Sequence, residues 1–333
     1  MANLEKKDDT LPAPASQRDK KDHPTHIIFF VVLFYFIISL SVVFLNKLIF
    51  SSSEYNFPYP LFVTWFQLVV ALGILLIWSH LGKTKSSFAL IPPYEFDIDI
   101  ARRVAPLTFM YVMMLALNNL CLQYVEVTFY QVARSLSIVF NIIFTYTILG
   151  QTTSMTAMFA CLIVFLGFVI GSYGEINFSW PGMFAGVGSS AFVALYGIYV
   201  KKTLGAVDNN QWRLLHYNTT LSILLLAPLV LFSGELSEIR ENVYFLGEFG
   251  FWFLMVVTAI SGFAVNIAMF LQIKFTSALT NTISGTAKAC VQTILAAMIF
   301  RNPISGMNGL GIVLALIGSG YYSFVRYREM TSK

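Results

Sequence analysis

Apolar runs of bilayer length recur about ten times along the chain, near 27–49, 58–81, 104–123, 127–149, 155–173, 180–200, 212–233, 249–272, 276–299 and 304–325. About 20 apolar residues in a helix cross the roughly 30 Å hydrocarbon core of a bilayer. A helix also satisfies its own backbone hydrogen bonds, which lipid cannot do. The expected fold class is therefore all-α, a polytopic membrane protein with ten transmembrane helices. Composition agrees: 57% of residues are hydrophobic and only 11% charged, against about 25% charged in soluble domains.

An even number of spans puts both termini on one side. Lys83, Lys85, Arg102 and Arg103 lie after the second span, Lys201 and Lys202 after the sixth, and Arg326, Arg328 and Lys333 at the end, whereas the opposite side holds Arg240 and Arg301. Basic loops stay cytosolic, so both termini are expected there, with Glu235, Glu238 and Glu241 on the lumenal or exterior side. Residues 1–26, polar and rich in both charge signs, are expected to form a disordered cytosolic tail, with a ten-helix domain over 27–326 and a short cytosolic tail at 327–333. No basic tract gathers on a soluble segment, which excludes nucleic acid as a partner. Cys121, Cys161 and Cys290 fall in apolar stretches without metal or redox spacing, so no metal or cofactor is expected.

LQYVEVTFYQVARS, starting at Leu122, is weakly similar to LQIKFTSALTNTIS, starting at Leu271. Five spans per half is an odd number, so the second half (180–326) is expected to be inverted relative to the first (27–173). Such 5+5 inverted repeats build many secondary transporters, with the substrate site at the repeat interface.

Two of these spans carry buried charge. In the ninth, Lys288 shares a helix face with Ser277, Asn281, Ser284 and Gln292; in the fourth, Tyr130, Arg134, Ser137, Asn141 and Thr145 share another. A cation at mid-membrane costs about 2.5 to 3.5 kcal/mol on insertion scales. The first span adds Tyr35 and Asn46, with Lys47 late enough to snorkel outward, and the seventh adds His216, Tyr217, Asn218 and Thr219. No Asp or Glu lies well inside a span. Unpaired buried cations are costly, and an anionic ligand resolves that cost. Arg134 as a fork and Lys288 as a point charge suit a phosphate or diphosphate. The absence of a membrane carboxylate also leaves no proton-coupling residue, which favours exchange of one anion for another.

Plainer readings stand beside these. Arg134 and Lys288 could bond backbone carbonyls, Gly285 and Ala289 could serve close helix packing, and His216 could be a packing residue. Gly167/Gly171 and Gly182/Gly186 fit helix packing better than ligand contact. Asn177-Phe-Ser179 matches a glycosylation pattern but hugs the membrane, and Asn218-Thr-Thr220 lies within a span. An enzyme is disfavoured: there is no membrane aspartate pair, no HExxH, no GxSxG, and the one membrane histidine lacks a nearby carboxylate.

FLNK at 44–47, NNLCLQYVEVTFYQVARSL at 118–136, WRLLHYN at 212–218 and LQIKFTSALTNTISGTAKACVQTILA at 271–296 resemble nucleotide-sugar transporters of the drug/metabolite transporter superfamily, from the first span to the tenth. The resemblance implies a ten-helix antiporter of the Golgi, or else endoplasmic reticulum, membrane. It would import a GDP-sugar, GDP-fucose by its nearest branch, in exchange for lumenal GMP, or in the alternative carry GDP-mannose, another nucleotide sugar or a triose phosphate. It also implies substrate contacts at Tyr35, Tyr130, Arg134, Tyr217, Asn218, Ser284, Gly285, Thr286 and Lys288, with Lys47, His216 and Asn281 as further candidates. Tyr217 and Asn218 would read the base, and Ser284, Gly285 and Thr286 would border the sugar. A Phe-Tyr-Asn-Asn motif of the related GDP-mannose transporters keeps only its middle two residues here, between His216 and Thr219. A lipid bilayer surrounds such a protein, and a second copy of the chain is a candidate partner.

Overall fold

The computed structural model describes residues 25–52, 54–84, 96–150, 152–175, 178–275, 278–300 and 305–331. Among them there is no strand. Twelve helices follow one another: α1 (Thr25–Ser51), α2 (Pro60–Thr84), α3 (Ile98–Tyr124), α4 (Val127–Ser135), α5 (Ser137–Leu149), α6 (Met155–Tyr173), α7 (Trp180–Thr203), α8 (Gln211–Phe232), α9 (Glu235–Asn242), α10 (Phe249–Phe275), α11 (Ala278–Phe300) and α12 (Gly306–Thr331). Among the described residues, nine spans are long and apolar enough to cross a membrane, with α4 and α5 counting together as one. Within α11 the apolar stretch Ala287–Ile299 adds to them. The exterior supports the same conclusion: Phe232 is 89% exposed and Phe184 66%, among many large apolar side chains that water would not tolerate as one surface.

Local chemistry sets several of the helix ends. Asp97 accepts from the Asp99 N–H at the start of α3, and Asn210 accepts from the N–H groups of Trp212 and Arg213 at the start of α8. These are the orphan donors that an N-cap satisfies. Gly150, with φ 62°, closes α5 in the left-handed region that favours glycine.

Setting α9 aside, the spans form two sets of five: α1, α2, α3, α4 with α5, α6, and then α7, α8, α10, α11, α12. Helix α3 packs on α7 as α1 packs on α10; α3 meets α8 as α10 meets α2; α5 meets α7 as α1 meets α11. Helices α6 and α12, α2 and α8, and α4 and α11 pair with their own counterparts. Exchanging the two sets therefore maps each of these pairings onto another of them. With five spans per set, counterparts run in opposite directions, as an inverted repeat requires.

The tightest seam joins α6 to α12 through glycine. A Cβ added at Gly311 would lie 2.2 Å from the Gly171 nitrogen, and one at Gly167 would lie 2.5 Å from the Ala315 nitrogen. Gly182 faces Tyr124 and Val125, and Gly186 faces Ala133 and Cys121. These positions are packing glycines, as their spacing suggested.

At the end of the bundle that carries α9, the largest apolar cluster closes the structure. Phe57, 0% exposed, lies 5.0 Å from Phe251 and 5.8 Å from Phe62; Tyr55 lies 5.4 Å from Phe245; Phe66 lies 5.6 Å from Trp252. These rings come from both five-helix sets and from the segment after α9. The Glu235 carboxylate adds a polar tie, accepting from the N–H groups of Leu61 (3.1 Å) and Phe62 (2.7 Å) at the start of α2. The sequence reading did not anticipate α9 or this cap.

Two predictions follow from this packing. Gly311→Val drives a side chain into the α6 backbone and should prevent recovery of folded protein, whereas Gly262→Ala, where a Cβ meets nothing within 4 Å, should fold normally; size-exclusion profiles in detergent distinguish them. Burial raises the Glu235 carboxyl above its ordinary value of 4.5, aided by Glu238 and opposed by its two N–H donors. A carboxyl that holds its proton more tightly when folded stabilises the fold in acid, and that contribution is lost as pH rises through the raised value. The stability of the parent protein relative to Glu235→Gln should accordingly fall from about pH 4.5 upward in thermal unfolding; an increase would contradict the assignment.

Candidate functional site

Helix α4 brings Arg134 inward by its amphipathic pattern, with Val127, Thr128, Phe129, Tyr130, Val132 and Ala133 buried. The polar face expected to run unbroken through residues 127–149 is interrupted. At Leu136 the backbone tightens (φ −59°, ψ −17°), its N–H bonding Ala133 O at 3.2 Å, and α5 starts anew at Ser137. Ser135 Oγ donates to Val132 O at 2.6 Å, a local bond of the kind that loosens helix continuity.

A cavity of about 210 Å³ lies beside this break. Arg134, Ser135 and Ser137 line it from the first set, and Gly285, Ala289 and Ser319 line it from the second. A Cβ at Gly285 would meet nothing within 4 Å. Gly285 is thus no packing glycine; its missing side chain leaves room in the cavity.

Arg134 Nη1 donates to the Tyr130 hydroxyl at 2.8 Å, one turn back, with the guanidinium carbon 6.0 Å from that ring's centre. From α11, Lys288 Nζ reaches across to α1, donating to Ser39 Oγ at 2.7 Å and lying 5.8 Å from the centre of the Tyr35 ring. Arg134 is near enough for its charge to act on both Lys288 and Tyr35. Among the described residues neither cation pairs with a carboxylate, and neither bonds a backbone carbonyl; their partners there are side chains. Tyr35, Tyr130, Arg134, Gly285 and Lys288 are therefore gathered in one region. Ser39, 5% exposed, joins them. It sits one turn from Tyr35 on the same face of α1, a spacing that could have identified it.

Other residues sit elsewhere. Lys47 does not snorkel: it is 7% exposed, and its ammonium donates to Leu122 O (3.0 Å) and Val125 O (2.8 Å) at the end of α3. Unpaired carbonyls at a helix C-terminus attract a cation, and that demand outweighs the pull of water. Tyr217 is 0% exposed, stacked 5.7 Å from Phe96, and its hydroxyl accepts from the Asp97 N–H at 2.8 Å, which places it in the packing of α8 against the start of α3. Its neighbour Asn218 is 2% exposed with a buried Oδ1 that has no hydrogen-bond partner among the described residues. His216, 1% exposed, bonds the Leu75 backbone of α2. The side chains of Asn281, Ser284 and Thr286 lie outside the described residues.

Two pseudo-symmetric, inverted sets of membrane-length helices are the architecture of a secondary transporter. The chain belongs to the Triose-phosphate Transporter family, whose model matches residues 26–323. Similar proteins include GDP-fucose transporter 1 of Dictyostelium discoideum, 51% identical over 301 residues that cover 90% of this chain and 81% of that one. A Golgi GDP-fucose transporter of Drosophila melanogaster is 40% identical, covering 91% of each chain. A solved crystal structure superposes with a TM-score of 0.52 at 14% identity, covering 91% of this chain and 97% of the other, a likeness of fold.

Lys47→Met should leave the two α3 carbonyls unsatisfied and destabilise the fold by about 1 to 3 kcal/mol, while leaving substrate affinity of the folded protein unchanged. Thermal unfolding read beside ligand titration tests both halves; weakened binding at unchanged stability would return Lys47 to the substrate site.

Proposed function

We propose that this protein is a GDP-fucose transporter of the Golgi membrane, exchanging cytosolic GDP-fucose for lumenal GMP by alternating access. The observation that carries the reading is that Arg134, which lines the cavity, and Lys288, next to the lining residue Ala289, have neutral partners among the described residues, Tyr130, Ser39 and Tyr35, to solvate them. A diphosphate supplies the charge these partners lack: the guanidinium grips two oxygens and the ammonium a third. The names of the relatives support GDP-fucose as the cargo and the Golgi as the site. The distribution of Lys and Arg supports cytosolic termini.

Exchange follows from the same electrostatics. Without an anion, two like charges face each other in a poorly hydrated region, and the empty carrier is penalised in passing between states. Either GDP-fucose or GMP removes that penalty, so each supports the return of the other. The cavity of about 210 Å³ is below the roughly 300 to 1,000 Å³ of small-molecule sites, so a nucleotide sugar requires the two helix sets to part. The aromatic cluster at the α9 end would then be the lumenal closure that opens in the alternate state. For the base, the unpartnered Asn218 Oδ1 is an acceptor suited to the N–H edge of guanine. Tyr217 reaches a ligand only if α8 separates from α3.

The family's own name favours one other reading, a smaller phosphate-bearing cargo such as a triose phosphate. Proteoliposomes preloaded with GMP should take up GDP-fucose at least tenfold faster than empty ones, and GDP-fucose should compete better than UDP- or CMP-sugars and triose phosphates. Lys288→Ala should lose at least tenfold in uptake, about 1.4 kcal/mol or more. Equal uptake by Lys288→Ala overturns the anion-site reading, and preference for a triose phosphate transfers the site to that cargo.

A further inference from the structure

Apart from the central cavity, a second and larger recess of about 410 Å³ opens at the end of the bundle that carries both termini. Arg103 and Pro106 of α3, Tyr199, Lys202 and Thr203 of α7, and the turn at Gly205 form its walls. Arg103 lies in the second turn of α3 and Lys202 in the last turn of α7, so two cations from neighbouring helices converge on one opening. The Lys202 ammonium stands 5.8 Å from the centre of the Tyr199 ring.

Among the described residues no carboxylate neutralises these charges. Both side chains are exposed, and neither pairs with a described carboxylate. The nearest acids are engaged with other arginines: Asp99 with Arg102 and Asp208 with Arg213. Helix ends lie at the depth of the headgroup layer. The same α3–α7 seam continues inward as an apolar wall. Phe109, 47% exposed, meets Phe192 edge-on at 6.3 Å, and Phe192 shares a helix face with Tyr199, seven residues on. A cationic mouth at headgroup depth above an exposed aromatic wall has the polarity profile of a phospholipid.

We propose that this recess binds an anionic phospholipid, with Arg103 and Lys202 holding the headgroup phosphate and Phe109 and Phe192 flanking the start of an acyl chain. Basic pockets between membrane helices on the cytoplasmic side take such headgroups, and the Lys/Arg bias assigns this end of the bundle to the cytosol. A zwitterionic choline headgroup fits poorly, because its own ammonium would lie against the two cations. The proposal concerns a face remote from Arg134 and Lys288 and does not depend on which solute the transporter carries.

The test is thermal unfolding of the full chain in uncharged detergent with phosphatidylinositol, phosphatidylserine or phosphatidylcholine of identical acyl chains, and separately with inorganic phosphate. The anionic lipids should raise the midpoint by about 3 °C or more over phosphatidylcholine, and Arg103→Gln/Lys202→Gln should abolish that difference without lowering the lipid-free midpoint. Native mass spectrometry should show a phospholipid retained by the parent protein and lost from Lys202→Gln alone, which keeps the test open should the double variant fold poorly. Equal stabilisation by phosphatidylcholine, or an undiminished anionic effect in the variants, overturns the proposal. A matching shift with inorganic phosphate also overturns it, making the recess a site for free anions.

Discussion

The structure is organised around the repulsion between two cations that the fold forces into proximity. Arg134 and Lys288 come from counterpart spans of the two helix sets, so the pseudo-symmetry that builds the bundle also brings them together. Their partners are a phenol, a hydroxyl and an aromatic face, which solvate positive charge without cancelling it. Had evolution placed one carboxylate between them, the site would be electrically satisfied and an incoming anion would meet a competitor. The neutral coordination keeps the attraction for an anion intact, at the expense of stability in the empty state. The contrast with Lys47 is instructive. That ammonium donates to two carbonyl oxygens at the end of α3, the role of a structural cation at a helix C-terminus.

Helix exchange also explains where the protein is rigid. Helices α1, α2 and α10 pack at the α9 end through Ile49, Phe50, Val63, Phe251 and Met255; α7, α8 and α3 pack at the opposite end through Val207, Leu214, Tyr217, Ala101 and Val104. These two clusters are counterparts under the same exchange. Each ties a pair of helices from one set to a single helix of the other, so the sets are interlocked rather than merely abutted. The cavity lies against α4, α11 and α12, and its walls share Val132, Ile312 and Ala315 with the larger apolar cluster of the first unit, whereas none of the second unit's cluster lines it. A rearrangement at the cavity therefore draws on the first cluster and can leave the second packed.

The spans, the glycine seams and the two buried cations were all legible in the sequence because each rests on a local signal. Apolar length specifies a span, small-residue spacing specifies a close seam, and a charge in lipid announces its own cost. What escaped detection depends on contacts between distant segments. Lys47 looked exposable because nothing local reveals that α3 ends beside it. Ser39 is an ordinary membrane serine until Lys288 arrives from 249 positions away in the chain. The break at Leu136 is invisible to a periodicity argument, since the residues on both sides suit a helix. Helix α9 is short and polar, and it acquires its place only because Glu235 finds the free N–H groups of α2.

The departures from the Phe-Tyr-Asn-Asn pattern take on a different meaning in three dimensions. His216 and Thr219 are three residues apart and share one face of α8; both are buried, at 1% and 2% exposed, and His216 bonds the backbone of Leu75 on α2. Asn218 projects from a different side of the helix, with its carbonyl oxygen unpartnered. His216 therefore belongs to the α2–α8 contact, one of the self-paired contacts on which the exchange of helix sets turns, and Thr219 is buried close by on the same helix. Their replacement tunes a helix interface and leaves the amide at Asn218 unaltered.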